Sequence, residues 1–220
     1  MTTFPLQVLH RFSLVMSLPL HTLAGACVQC SGGLNPKRDQ KTTEHLSPCR
    51  IPWSAPLQPP MSSFRQLRPH DNPLIAQIIR DTLSEFGAAK PGTVYFDPTT
   101  DDLHSLFQQP LAHYVVAEND GVVVGGCGIF PTAGLPCGYC ELVKLYLTPA
   151  ARGKGIGKRL ILCCLEKARE LGFSSVYLES MDELRHAVAL YERLGFQHIG
   201  AALGRSGHFG CSIWMAMSLA

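Results

Sequence analysis

The residue types best suited to chemistry are concentrated in one short run, TPAARGKGIGKRL, from Thr148 to Leu160. Gly153, Gly155 and Gly157 alternate there with cationic side chains, Arg152, Lys154, Lys158 and Arg159, directly after an apolar stretch that reads as a β-strand. A strand that passes through glycines into a helix presents unpaired backbone N–H groups and the positive end of the helix dipole to one point, which suits a phosphate or pyrophosphate. An exposed helix start with permissive glycines would look the same locally. Spacing narrows the anion. A P-loop needs four residues between its glycines and a Ser or Thr after the lysine, whereas Gly153 and Gly157 are one residue too close and Arg159 stands at the hydroxyl position. A dinucleotide turn needs a third glycine where Lys158 and Arg159 fall.

Other reactive types are less well placed. His186 and His208 have no carboxylate or hydroxyl partner evident along the chain. Nine cysteines are an odd number, and Cys163 and Cys164 fall inside an amphipathic pattern where thiols pack as small hydrophobes, so the expected compartment is reducing and the expected location cytoplasmic. The two Cys-x-x-Cys pairs, Cys27/Cys30 and Cys137/Cys140, lie over a hundred residues apart without histidines at ligand spacing, so no metal site is expected.

A net charge of +2 lacks the concentrated basic face of a nucleic-acid binder. The basic surplus sits at the front: residues 1–61 carry +3 and residues 62–220 carry −1. No stretch reaches the roughly 18 to 20 apolar residues of a membrane helix. The segment Phe12 to Ala26 resembles a signal-peptide core, but Pro19 and His21 break it and Arg11 is its sole flanking cation.

Two parts are expected. Residues 1–60 lack a sustained period of 2 or 3.6 and end in the proline-rich IPWSAPLQPP, which predicts an extension without a core, or a start placed upstream of Met61. Residues 61–220 show alternating elements. A short strand at 64–69 precedes a helix with Asn72 as N-cap, Pro73 as first residue and Gly87 as stop. A loop at 88–99 and a short helix at 100–109 lead into two strands flanking Asn119-Asp120-Gly121, a hairpin signal. Then come a strand at 138–147, a helix from Gly153 to Leu171, a strand at 174–180, a helix ending at Leu194 that buries Ala187, Leu190, Tyr191 and Leu194, and two closing strands. The strand-helix-strand passage in the middle must be parallel, so the fold class is α/β with a mixed sheet.

The run also satisfies R-x-x-G-x-G, through Arg152, Gly155 and Gly157, and LYERLGF follows at 190–196. Together these motifs resemble the GNAT superfamily of acyl-CoA N-acyltransferases over residues 61–220. The resemblance implies a central sheet of about seven strands flanked by about four helices and split between the strands at 138–147 and 174–180, with ligand entering where the strand arrangement changes. It implies that backbone groups of Arg152, Gly153, Lys154, Gly155, Ile156, Gly157 and Lys158 hold the pyrophosphate of acetyl-CoA. Leu145, Tyr146 and Leu147 would pair with the pantetheine arm. Glu141 matches the general-base glutamate of some members, and Tyr191 the tyrosine that protonates the departing thiolate. Alternation would place Glu141 on the face of Val143, Leu145 and Leu147 unless a bulge intervenes.

The activity implied is transfer of an acetyl group to a primary amine by direct attack in a ternary complex, the acceptor being a small molecule or a peptide. The loop at 88–99 would border the acceptor pocket, and a homodimer would be in keeping with many relatives. One departure favours a rival reading, a non-catalytic acyl-CoA-binding module: Leu184 stands seven residues before Tyr191, where many relatives place a cofactor-binding asparagine.

Overall fold

The computed structural model describes residues 62–219. The expectations for residues 1–60, for the signal-like segment and for Cys27/Cys30 lie outside the described residues. Seven strands, β1 (Ser62–Gln66), β2 (His113–Asn119), β3 (Val122–Phe130), β4 (Tyr139–Leu147), β5 (Ser175–Ser180), β6 (Gln197–His198) and β7 (Ile213–Ser218), form one sheet in the order β1-β2-β3-β4-β5-β7-β6. Four α-helices accompany them: α1 (Asn72–Glu85), α2 (Leu103–Leu106), α3 (Ile156–Glu170) and α4 (Arg185–Arg193). The expected mixed α/β sheet is present, and no helix among the described residues is long and apolar enough to cross a membrane.

Two apolar layers cover the sheet. On one face Leu160, Ile161, Cys164 and Leu165 of α3, with Val188 and Tyr191 of α4, pack on Val115, Ile129, Leu142, Val176 and Leu178. On the other, Ile75, Ile78, Ile79 and Leu83 of α1 pack with Leu103, Phe107, Tyr114 and Val116. The i, i+3, i+4, i+8 spacing of the α1 set is the stripe that folds it onto the sheet. Asp120 and Gly121 take φ of 51° and 78°, the left-handed pair that closes a two-residue hairpin between β2 and β3. Gly128 carries no side chain because a Cβ there would meet the Phe107 and Tyr114 rings at 2.7 Å.

Several details differ from the sequence reading: β1 covers Ser62–Gln66 rather than 64–69, and α2 only Leu103–Leu106 of 100–109. The residue before α1 is Asp71, not Asn72. The Asn72 side chain instead takes the His104 N–H at 2.9 Å and donates to Asp102 at 2.8 Å, while the Asp71 carboxylate is occupied by Arg65 and by the Arg68 N–H. Helix α3 starts three residues later than Gly153, because Gly153 and Gly155 are left-handed and cannot continue a helix. In α4, Val188 and Tyr191 are the buried positions, while Ala187, Leu190 and Leu194 stay partly exposed.

β4 and β5 are the one parallel pair among the described strands, and their pairing covers only Tyr139–Glu141 with Ser175–Tyr177. β4 runs on for six residues beyond Glu141 with β3 on its other side, while β5 turns with β7. The sheet therefore opens between Leu142–Leu147 and Leu178–Ser180, leaving backbone groups of one β4 edge without a strand partner.

Candidate active site

The opening holds a cleft of about 650 Å³. Its lining comes from both sheet faces: Leu145, Leu190 and Tyr191 from the layer of α3 and α4, and Val143, Met181 and Leu184 from the opposite layer, with Glu141 and His208 between its walls. A cleft that passes through a sheet in this way can take two ligands from two sides.

The glycine turn forms one end. Gly153, Gly155, Gly157 and Lys158 line it. Gly153 and Gly155 have φ of 73° and 78°, and a Cβ at either would touch nothing within 4 Å, so conformation rather than space requires glycine. Within the turn Ala151 N–H donates to Thr148 and Arg152 N–H to Pro149, and the next main-chain donor to be satisfied is Arg159 N–H, on Gly155. The amides of residues 153–158 are thus open donors at a helix start, the arrangement that binds an anion. Ile156 contributes its backbone alone, since its side chain is buried in the core.

The side chains of the turn divide sharply. The Arg152 guanidinium is fully engaged: bidentate to Glu85 at 2.7 and 2.9 Å, bonded to the Leu147 carbonyl and to Thr82, and set over the Phe86 ring. Arg159 lies over Phe64, 4.5 Å from the ring centre, directed away from the cleft. Neither supplies free charge. Lys158 lines the cleft, joined by Arg193, which the sequence reading did not single out; Lys154 lies outside its lining.

The strand bearing Glu141 carries a bulge. Gly126 pairs with Tyr146 and Gly128 with Val143, so β4 uses three residues where β3 uses two, and Lys144 takes φ of 53°. The bulge inverts alternation beyond it. Val143 packs with the α1 layer, whereas Leu145 and Leu147 pack with the α3 layer. Glu141 consequently does not share a face with Leu145 and Leu147. Alternation failed because one extra residue shifts the pleat by one phase.

Glu141 is buried, and the Thr132 hydroxyl donates to its carboxylate. Burial, reinforced by the charge of Glu179 and opposed by the Thr132 bond, pushes the Glu141 carboxyl up to about 7. Glu179 on β5 accepts from Tyr177 and Ser206 hydroxyls, each at 2.8 Å. Single ligand atoms of Glu141, Glu179 and His208 fall within 4.8 Å of one another. His208 also stands 3.5 Å from the Asp97 carboxylate, which the buried Lys144 ammonium contacts at 3.0 Å. Burial raises the Asp97 carboxyl, but the His208 bond and the Lys144 charge outweigh it and hold it well below the usual range. Sequence spacing gave His208 no partner. Folding supplies three, from a loop, β4 and β5.

Tyr191 lies across the cleft on α4, its ring edge-on to Phe196 with centroids 5.8 Å apart. Its hydroxyl has no hydrogen bond to another described residue. No buried polar side-chain atom among those residues lacks a partner, so this oxygen is open to the cleft that the ring lines. Burial pushes the phenol above its usual range, keeping it protonated at neutral pH. Leu184 also lines the cleft, from the α1 layer, and Val94 is the part of the loop at 88–99 that lines it.

Comparison with known proteins agrees with this geometry. Residues 75–196 match the Acetyltransferase (GNAT) family. The Uncharacterized N-acetyltransferase YjgM of Escherichia coli (strain K12) is 46% identical over 166 residues, 75% of this chain and 98% of that one. Among solved structures, a GNAT-family acetyltransferase of Staphylococcus aureus Mu50 superposes with a TM-score of 0.65 at 16% identity, covering 73% of this chain and all of the other. The yncA protein of Salmonella typhimurium, solved with its cofactor acetyl-CoA, gives 0.57 at 21% identity over 72% of this chain and 94% of its own. With the family match spanning more than half of the residues and this level of identity to a full-length relative, the chain belongs to the GNAT acetyltransferase family and is an N-acetyltransferase.

Proposed function

We propose that the chain transfers the acetyl group of acetyl-CoA to a primary amine, with donor and acceptor bound together. The observation that carries this reading is the cleft through the sheet, which has open backbone donors at one end, an unpaired strand edge along its length, and a carboxyl and a phenol on opposite walls.

The residues fit the donor. Amides of Gly153, Lys154, Gly155, Ile156, Gly157 and Lys158 offer the pyrophosphate a ring of N–H groups without a Cβ in the way at the two left-handed positions. Arg152 acts on the turn rather than on the phosphate, tying it to α1 through Glu85. The free edge of β4 at Leu145, Tyr146 and Leu147 suits the amides of the pantetheine arm, which adds to the sheet as a short strand. The thioester supplies an activated acyl carbon. All else falls to the protein.

A primary ammonium must lose a proton before its nitrogen can attack. A carboxyl group whose proton equilibrium lies near 7 is matched to that work, and Glu141 is the base in this reading, directly or through one water. As the nitrogen–carbon bond forms and the carbon–sulfur bond breaks, the thiolate requires a proton, and the Tyr191 hydroxyl, open to the cleft, provides it. Acetyl-CoA in a thermal-shift titration should raise the melting temperature, since a ligand of the native state stabilises it. Release of CoA thiol on adding amines then separates a transferase from a binding module. No shift at millimolar acetyl-CoA, with no thiol release from any amine, would refute the proposal.

A further inference from the structure

A second cavity, of about 260 Å³, adjoins the first and shares Glu179, His208 and Cys211 with it. Its remaining wall is the segment from Ala202 to Phe209, with Trp214 of β7. That segment is fixed by hydrogen bonds to Glu179, to Tyr177 and to the loop after β3. Ser206 donates to Glu179, and the Arg205 N–H donates to Ala133 at 2.7 Å, next to Thr132, the residue bonded to Glu141. The Leu203 N–H is held by the Tyr177 hydroxyl, which in turn donates to Glu179. Arg205 is therefore carried on backbone tied to Glu179 and to the residue beside the Thr132 that holds Glu141.

The charge pattern around this cavity has two signs. Its inner wall offers Glu179, with Glu141 behind it. Arg205 is the one lysine or arginine in its lining. Of the other cations near the cleft, Lys144 is matched by Asp97, Lys90 by Glu183 and Arg152 by Glu85, while Lys158 and Arg193 line the main cleft rather than this cavity. The guanidinium of Arg205 makes no hydrogen bond or ion pair with any described residue. A guanidinium fork is shaped for a carboxylate and binds it in two parallel hydrogen bonds.

We infer that the second cavity is the acceptor site and that the acceptor is a free amino acid, with its amine held toward Glu141 and Glu179 and its carboxylate on Arg205. Trp214 and Phe209 give its side chain an apolar wall. A polyamine would meet Arg205 as a like charge, and a peptide N-terminus carries an amide where a free amino acid carries its α-carboxylate. The inference rests on the acetyl-transfer reading above.

The test uses the full chain, acetyl-CoA, and a set of free L-amino acids beside their carboxamides and a diamine, followed by CoA thiol release. At least one amino acid should exceed its own amide by tenfold or more in kcat/KM. Arg205→Ala should remove that preference by raising KM for the acid while leaving the slow rate with the amide unchanged, and Arg205→Lys should restore part of it. Because the Arg205 side chain is exposed, the melting temperature of the variants should match that of the parent. Equal use of acids and amides, preference for the diamine, or an Arg205→Ala loss of the same size on acid and amide overturns the inference while leaving acetyl transfer standing. Absence of thiol release with every amine, together with no acetyl-CoA thermal shift, overturns the transfer reading and this inference with it.

Discussion

The carboxyl groups of Glu141 and Glu179 reach one cluster from two strands that have just stopped pairing: Glu141 stands in the last β4–β5 pair, opposite Tyr177, and Glu179 follows two residues later. Glu179 accepts from two hydroxyl donors, and its charge adds to burial in raising Glu141. The rate in kcat/KM should therefore rise with pH to a plateau, with a midpoint near 7, since the base works deprotonated. Glu179→Gln removes the raising charge and should move that midpoint to lower pH; an unmoved acid limb would show that Glu179 has no part in setting it.

Glu141→Gln should lower turnover by about 10² to 10⁴. Its effect on stability has the opposite sign. The folded-state carboxyl titrates above its ordinary value of 4.5, so the native protein binds more protons than the unfolded chain between about 4.5 and 7, and native stability falls as pH rises through that window. The full cost of ionising the buried group is on the order of 3 kcal/mol. Denaturant titrations at pH 8 should find Glu141→Gln more stable than the parent, with the gap closing toward pH 4.

Tyr191→Phe keeps the ring and its edge contact with Phe196 but removes the hydroxyl open to the cleft. Turnover should fall tenfold or more while acetyl-CoA affinity changes by less than threefold, an effect confined to the chemical step. Equal turnover in the two proteins would take the phenol out of the reaction.

Arg152 offers a sharper comparison, because its guanidinium is spent on α1. Arg152→Ala should weaken acetyl-CoA binding about tenfold by loosening the turn, and Glu85→Gln, remote from any phosphate, should reproduce much of that loss. An arginine that touched phosphate directly would leave Glu85→Gln with normal affinity. Calorimetric titration of both variants distinguishes the two.

The glycines should separate by what each lacks room for. Gly128→Ala forces a methyl into two aromatic rings and should cost about 1 to 3 kcal/mol of stability with little change in acetyl-CoA affinity. Gly155→Ala meets no atom but strains a left-handed residue, at about 1 to 2 kcal/mol, and should appear chiefly as lost affinity. Melting curves and binding isotherms of the pair give the check.

The sequence was most informative where a pattern is local. The apolar stripes of α1 and α3, the Asp120-Gly121 hairpin and the glycine turn could be read directly, because each depends on neighbours within a few residues. Partners set by tertiary contact could not. His208 seemed unaccompanied because Asp97, Glu141 and Glu179 reach it from elements far away in the chain, and the Glu85 partner of Arg152 was hidden because it lies 67 residues distant. The bulge was invisible for a different reason: the run Val143-Lys144-Leu145-Tyr146 alternates well enough in type that nothing marks the added residue.

That single residue, Lys144, sets how β4 would respond to a change in length or shape. Because it shifts the pleat by one phase, Leu145 and Leu147 beyond it share the α3 layer with Cys140 and Leu142, and Tyr146 shares the α1 layer with Val143. Deleting Lys144 would leave a regular strand with its neighbours on their present layers, whereas straightening the strand with Lys144 kept would send Leu145 and Leu147 to the α1 layer and Tyr146 to the α3 layer.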